Sequence, residues 1–162
     1  MVTNLIALDI AEETGVCVLT GSSAIVFDVR HNNPIEQYKL LLPYLIHTNI
    51  VIENFVYFST NNSRVTVLSL VERLGYIKYK LIDDGYNIEL INPTSYQANV
   101  INFLSLRETV RQATGKSKKK RVLNAYLNNH YGIKMSYNMT DALSMIIYKL
   151  QDLPQKVEIQ CL

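Results

Sequence analysis

Residues that build metal centres and nucleophilic sites are scarce in this sequence. Its 162 residues include only two cysteines and three histidines, and their spacing matches no zinc site. Cys17 falls in an apolar stretch and is predicted to be a core residue, whereas Cys161 lies near the end of the chain. No Ser-His or Cys-His arrangement is recognisable, so covalent catalysis is not expected.

Long apolar runs are also absent. No stretch approaches the ~18 apolar residues that suggest a membrane span, and the N-terminal MVTNLIALDIAEE lacks the basic flank and cleavage site of a signal peptide. We therefore expect a cytoplasmic protein without a membrane partner. Its 48% hydrophobic and 19% charged residues are typical of a globular domain. The length predicts a single domain over 1–153, followed by a tail over 154–162.

Positive charge is concentrated in one segment, although the net charge is only +2. Five of the six residues in KSKKKR, 116–121, are basic, and Arg107 and Arg111 precede them. Such a run is either an anion-binding patch or the solvated start of a helix, and the charges alone leave both interpretations open.

The hydrophobic periodicity predicts a mixed α/β fold. Three short β-rich runs separated by turns indicate an antiparallel meander, and helical and strand patterns then alternate along the chain. The predicted strands cover 2–10, 16–20, 24–29, 50–53 and 88–92, and the clearest predicted helices begin near 34, 63, 118 and 138. This order predicts a five-stranded mixed sheet flanked by helices.

Two carboxylates stand at the ends of predicted strands. Asp9 ends the first strand and Glu53 ends the fourth, so both would emerge at one edge of the sheet if these strands are neighbours. Asp141 belongs to the last helix, whose start could pack against that edge. Three acids from distant segments predict an oxygen-ligand site for Mg²⁺.

Each acid also has a purely structural interpretation. Asp9 could start a turn, and Glu53 could be an exposed strand residue. Asp141 could form a capping box with Asn138, three residues earlier at the start of a helix.

Four segments together resemble the RuvC-type Holliday junction resolvases, within the RNase H-like nuclease superfamily. The first two are LIALDIAEETGVCVL and VIENFVYFSTNNS, and the later two are GKSKKKRVLNAYL and NMTDALSMIIYKL. They occur in the family's order and span about 3–150. The resemblance implies an RNase H-like fold.

The resemblance also implies site residues. Asp9, Glu53 and Asp141 would be catalytic and would hold two Mg²⁺ ions, with Mn²⁺ as a substitute, and Lys119 or Lys120 would contact DNA near the cut phosphate. The full set of implied DNA-binding residues is Lys116, Lys118, Lys119, Lys120, Arg121, Phe55 and Tyr57. Asn138 stands where the family often has another acid and could still be a metal ligand through its carbonyl oxygen. Ile10-Ala11 replaces the family's Pro-Gly, which suggests a divergent phage or viral branch.

The function implied is Mg²⁺-dependent cleavage of four-way DNA junctions in DNA recombination and repair. The implied substrates extend to other branched DNA. The expected location is the cytoplasm of a bacterium or of a phage-infected host cell. Because a junction presents two equivalent strands, a homodimer is expected, with the helix over 63–79 as its candidate interface. An alternative is a non-catalytic module that binds branched DNA. An actin-like ATPase or sugar kinase is disfavoured, since DIAEET lacks phosphate-cradling glycines and the chain is short for two lobes.

Overall fold

The computed structural model describes residues 4–45, 49–54, 64–115 and 117–160. The predictions for Phe55, Tyr57, Lys116 and Cys161 therefore lie outside the described residues. Within them, no helix combines the length and the apolar character needed to cross a membrane.

A six-stranded mixed sheet forms the centre of the fold. Its strands are β1 (Asn4–Asp9), β2 (Glu13–Thr20), β3 (Ser23–Arg30), β4 (Asn49–Glu53), β5 (Ile88–Ile91) and β6 (Lys156–Ile159), in the spatial order β5-β4-β1-β2-β3-β6. β1, β2 and β3 pair antiparallel, which confirms the predicted meander. β4 lies parallel to β1, and β5 lies parallel to β4. The neighbourhood of the first and fourth strands, on which the predicted site depends, is thus confirmed.

Helices cover both faces of the sheet. They are α1 (Pro34–Leu41), α2 (Arg64–Asp83), α3 (Pro93–Phe103), α4 (Arg107–Gln112), α5 (Lys118–Tyr131) and α6 (Tyr137–Leu150), with a short 3-10 turn at Leu42–Tyr44. Strand alternation divides the core into two clusters. Ala7, Cys17 and Val51 face the α3–α6 side, whereas Leu8 and Ile52 face the α1–α2 side. Cys17 is a buried free thiol, as predicted.

The sixth strand differs from the predicted architecture of five strands and a tail over 154–162. β6 runs parallel to β3 along the sheet edge, where Val157 pairs with Ala24 and is buried. The strand is extended by backbone hydrogen bonds, including one of 3.0 Å from the Gln160 amide to the Val26 carbonyl. β6 has four residues and one buried apolar side chain. This is too short a pattern for the sequence to distinguish a strand from an unstructured tail.

A buried polar network links the α1–α2 layer to the turn that follows β1. Gln37 of α1 is fully buried, and its side-chain amide donates to the carbonyls of Ala11, Glu12 and Val29 at 3.0–3.1 Å. Arg73 of α2, only 5% exposed, donates to Gln37 Oε1 at 2.7 Å. These bonds hold the turn just beyond Asp9 against both helices.

Candidate metal and nucleic-acid site

Asp9 and Glu53 lie at the carboxyl ends of adjacent parallel strands. The pairing of Leu8 with Ile52 places the two acids at the next position along β1 and β4. Asp9 lies two positions after Ala7, and Glu53 lies two positions after Val51. Ala7 and Val51 face the α3–α6 side of the sheet, so strand alternation directs both acids to that side. Two carboxylates from distant segments therefore share one edge of the sheet, as predicted.

Gly15 lets the start of α6 approach this edge. Gly15 pairs directly with Asp9 across β1 and β2. A Cβ atom built on Gly15 would lie 2.1 Å from the carbonyl oxygen of Asn138, a separation that real Cβ atoms do not show. The side-chain amide of Asn138 also donates to the Glu13 carbonyl at 2.8 Å. The absence of a side chain at Gly15 thus brings α6 against β2 beside Asp9.

Asp141 lies on α6 and is almost inaccessible to solvent. It is 1% exposed, its Oδ2 forms an ion pair with Lys120 Nζ, and its Oδ1 is buried without a hydrogen-bond partner among the described residues. The capping-box interpretation is wrong, because Ser136 caps this helix by accepting a hydrogen bond of 3.1 Å from the Met139 amide. Asp141 therefore has no capping role.

The three acids repel one another inside a desolvated site. Burial raises the pKa of Asp9 well above its usual range, and the charges of Glu53 and Asp141 raise it further. Burial also raises the pKa of Glu53, although its hydrogen bond with Tyr96 and the charge of Lys120 oppose the shift. Burial raises the pKa of Asp141 to about 6 against the opposing charge of Lys120. Each of the three carboxyl groups therefore retains its proton to a higher pH than an exposed acid would.

Lys120 of the basic run lies directly in this site. Burial lowers the pKa of Lys120, but the charges of Asp141 and Asp9 outweigh this effect, and the pKa is raised overall. Lys118 and Lys119 are half-buried at the start of α5, and the Arg121 guanidinium donates to the Thr114 carbonyl. Among the described lysines of this run, Lys118, Lys119 and Lys120, it is Lys120 that meets the acids, a distinction that the sequence left open.

Two further side chains were missed from the sequence. The fully buried Tyr96 of α3 donates its hydroxyl to Glu53 Oε2 at 2.6 Å, which fixes the carboxylate orientation. Asp28 pairs with Gly15 across β2 and β3, so it lies in the same row as Asp9, and its charge raises the pKa of Asp9. The only available signal for Asp28 was its position near the end of a predicted strand, and Tyr96 gave no signal.

The described structure is similar to two solved resolvases. One is RuvC of T. thermophilus in complex with a Holliday junction substrate, at 14% identity and a TM-score of 0.54, covering 91% of each chain. The other is the yeast mitochondrial Holliday junction resolvase Ydc2, at 12% identity and a TM-score of 0.55, covering 93% of this chain and 80% of that one. No protein-family model and no curated protein sequence matches the chain.

The chain has the RNase H-like fold of RuvC. This confirms the fold that the sequence resemblance implied, with one strand more than predicted. At these identities the similarity establishes the architecture, and the chemistry of the site must be argued from the residues themselves.

The donor chemistry of this site suits a divalent cation. Asp9, Glu53 and Asp141 offer the oxygen ligands that Mg²⁺ prefers, and the unpaired Oδ1 of Asp141 is a buried acceptor without a donor in the described part of the chain. In that same part, no three His, Cys, Asp or Glu side chains already form a metal-holding group. Lys120 instead neutralises part of the negative charge. Cation binding would thus require the acids to converge and Lys120 to release Asp141.

Without metal, the protein should become more stable as the pH falls from about 6 towards 4. The pKa of Asp141 is raised from 3.8 to about 6, so in this window the folded chain binds a proton that the unfolded chain does not. Stability then decreases as the pH rises through the window. Thermal melts in EDTA should show a midpoint several degrees higher at pH 5 than at pH 7, at about 2–4 °C per kcal/mol for this size.

The matched variants for this prediction are Asp141→Asn and Asp152→Asn. Asp141→Asn should reduce the pH dependence, whereas replacement of the exposed Asp152 should leave it unchanged. The prediction would be contradicted if the melting midpoint of the wild type were lower at pH 5 than at pH 7 and that of Asp141→Asn changed by the same amount.

Proposed function

We propose that this chain is a Mg²⁺-dependent endonuclease that resolves Holliday junctions and related branched DNA by two-metal-ion phosphodiester hydrolysis. The observation that carries the proposal is the meeting of Asp9, Glu53 and Asp141 at one edge of an RNase H-like sheet, with Lys120 beside them. Two solved proteins with this fold are Holliday junction resolvases, one of them in complex with a Holliday junction substrate. A divergent phage or viral origin remains part of the proposal.

The three acids would hold the metal ions, and their neighbours would position them. Two bound divalent ions would activate a water molecule and stabilise the leaving oxygen of a phosphodiester. Tyr96 orients Glu53 through Oε2, which leaves Oε1 available as a ligand. Asn138 could add only its side-chain carbonyl oxygen, because its side-chain amide nitrogen donates a hydrogen bond to the Glu13 carbonyl.

Lys120 is proposed to exchange partners during the reaction cycle. Its ammonium forms an ion pair with Asp141, and its side chain is 31% exposed. Cations held by Asp9, Glu53 and Asp141 would neutralise these acids, and Lys120 would then be available for a phosphate oxygen of the DNA. The other basic residues of the run would contact the backbone and confer strong salt dependence with little sequence information.

A homodimer is proposed, with α2 at its interface. Four large apolar side chains on this helix are 48–63% exposed: Leu68, Val71, Tyr79 and Ile82. Exposed apolar residues concentrated on one element suggest a surface that another molecule covers. A two-fold dimer would present one acidic site to each of the two equivalent strands of a junction.

The test is cleavage of labelled synthetic DNA in Mg²⁺ or Mn²⁺. A four-way junction, a fork and a linear duplex of equal length should be compared under single-turnover conditions. We expect paired, symmetrically placed nicks in the junction, little cutting of the duplex and no cutting in EDTA. Cutting of the fork at a similar rate would widen the substrate class to branched DNA in general.

A non-catalytic module that binds branched DNA is the second candidate. The observation that favours it is the ion pair of Lys120 with Asp141, together with a neutral Asn138 in place of another acid. Tight and selective junction binding without cleavage in either metal would establish this alternative. Absence of both binding and cleavage would refute both candidates.

A further inference from the structure

The turn over 11–14, which begins two residues beyond Asp9, is held by two buried side chains. Thr14 is fully buried, and its hydroxyl donates to the Ala11 carbonyl at 3.0 Å and accepts from the Ala11 amide at 3.3 Å. Gln37 of α1 donates to the same carbonyl, also at 3.0 Å. The backbone that follows Asp9 is therefore fixed both within the turn and against α1.

Arg73 of α2 holds Gln37 in place and also reaches the segment that follows β3. Its Nη1 donates to Gln37 Oε1 and to the His31 carbonyl, both at 2.7 Å, and its Nη2 donates to the Asn32 carbonyl at 2.9 Å. The His31 amide in turn donates to the Glu12 carbonyl at 3.3 Å. These bonds form the Arg73–Gln37 network, which ties α2 to the turn by two routes.

The Arg73 guanidinium is a buried charge whose partners are neutral. The residue is only 5% exposed, and its hydrogen bonds to described residues all end on carbonyl oxygens. Removing a charged group from water is costly, and apolar side chains in its place are often equally or more stabilising. Stability alone therefore does not account for this group, whereas a rigid fork of donors can fix the relative positions of several segments.

Asp9 depends on its backbone for its position in the acidic site. Tyr96 orients the Glu53 carboxylate through a hydrogen bond of 2.6 Å, whereas no hydrogen bond from a described residue is among the influences on the pKa of Asp9. The charges of Glu53 and Asp141 act against the ionised form of Asp9. A Mg²⁺ ion requires ligands in near-ideal geometry, so the backbone at Asp9 must stay in place despite this repulsion.

We propose that Arg73 and Gln37 are positioning residues that preorganise Asp9 for binding a divalent cation. The inference rests on the proposed function, which makes Asp9 a metal ligand. The network acts through the backbone of the turn, and the charge of Arg73 is not among those that shift the pKa of Asp9. Without these bonds a cation would have to order the turn as it binds, which lowers its affinity.

The first measurement is the affinity of the full-length, DNA-free protein for Mn²⁺, determined by isothermal titration calorimetry. Arg73→Met removes the donors and keeps most of the side-chain length. We expect it to weaken Mn²⁺ binding by about tenfold, at the lower end of the range for groups that support metal ligands, because it acts through the turn. The matched control is Ile77→Ala, since Ile77 is fully buried one turn further along α2. This truncation destabilises the same helix without removing a hydrogen bond of the network, so the Mn²⁺ affinity should be unchanged.

A second variant keeps the buried charge and changes only the donor. Gln37→Glu leaves an acceptor for Arg73 and gives the guanidinium a carboxylate partner, but it no longer offers an amide group to the carbonyls of Ala11 and Glu12. It should fold and should weaken Mn²⁺ binding as Arg73→Met does, and it decides alone if Arg73→Met does not fold. A folded variant of either residue with wild-type Mn²⁺ affinity, or an equal loss in Ile77→Ala, would overturn the inference. Failure of both network variants to fold would also overturn it, because the network would then be needed for the fold itself.

Cleavage of a four-way junction provides an independent readout. Arg73→Met should raise the Mg²⁺ concentration needed for half-maximal cleavage, and the single-turnover rate at saturating Mg²⁺ should return towards that of the wild type, because enough cation orders the turn by mass action. A reduced rate with an unchanged Mg²⁺ midpoint would contradict the positioning role. Wild-type protein that binds Mn²⁺ without cutting DNA would refute the proposed nuclease only. Wild-type protein that binds neither cation would refute the proposed function and the inference together.

Discussion

Glu53→Gln is expected to lower the cleavage rate of a four-way junction by about 1000-fold or more, with junction binding retained. Glutamine has the same shape and can still accept the hydrogen bond from Tyr96, so the local packing should persist. It lacks the negative charge that would hold a divalent ion, and metal ions supply several kcal/mol of transition-state stabilisation, where 1.36 kcal/mol corresponds to tenfold in rate. Single-turnover cleavage and fluorescence anisotropy with the same labelled junction would measure both effects.

The matched control for this experiment is Glu89→Gln. Glu89 lies on the neighbouring strand β5, is exposed, and pairs at 2.8 Å with Lys149, so its replacement should leave cleavage within about twofold of wild type. Because burial raises the pKa of Glu53, Glu53→Gln should also unfold no more readily than wild type in EDTA. A Glu53→Gln protein that folds and cuts at the wild-type rate would refute the assignment of this carboxylate to the reaction.

Gly15→Ala should damage both stability and cleavage. Its Cβ would meet three backbone atoms at the start of α6: the carbonyl oxygen and carbon of Asn138, at 2.1 and 2.2 Å, and the amide nitrogen of Met139, at 2.8 Å. Backbone cannot move aside as a flexible side chain can, so α6 must shift and carry Asp141 away from Asp9. Overpacking typically costs about 1–3 kcal/mol, and a 1 Å misplacement at a reactive site can cost about 100-fold in rate.

Gly75→Ala separates this steric effect from the general effect of replacing glycine. Gly75 lies within α2, and no described atom would come within 4 Å of its new Cβ. Alanine there should stabilise the protein by up to about 1 kcal/mol, because it is a better helix former. Thermal midpoints of the two variants provide the comparison, and the single-turnover rate of Gly15→Ala measures the loss of cleavage. A Gly15→Ala protein with wild-type values for both would show that α6 does not depend on this close approach.

The part of the site that could be predicted rests on strand periodicity. Asp9 and Glu53 each end a short apolar strand, and alternation with a period of two assigns a face to each side chain. Their proximity then required only that β1 and β4 be neighbours, which a crossover after a meander permits and the structure confirms. Asp141 was assigned to the site as an acid of the last helix, whose start could pack against that edge, and the local pattern also suggested a capping role that Ser136 in fact fulfils.

The remainder of the site depends on contacts between distant segments. Tyr96 reaches Glu53 across 43 positions of sequence, and no local pattern distinguishes it from the other ten tyrosines. Likewise, adjacent lysines in a basic run are chemically equivalent, and only the packing of α5 beside α6 turns Lys120 towards Asp141. β6 was not predicted because it has a single buried apolar residue, and only its pairing with β3 identifies it as a strand.

The sequence by itself determined the mixed α/β class, the meander and the strand-end positions of Asp9 and Glu53, because these follow from side-chain periods of neighbouring residues. Tertiary structure alone decided how α6 lies on Gly15, which of the described lysines compensates the acids, and what orients Glu53. Those features are set by close packing between segments far apart in the chain. Such contacts depend on three-dimensional distances that no single stretch of sequence contains.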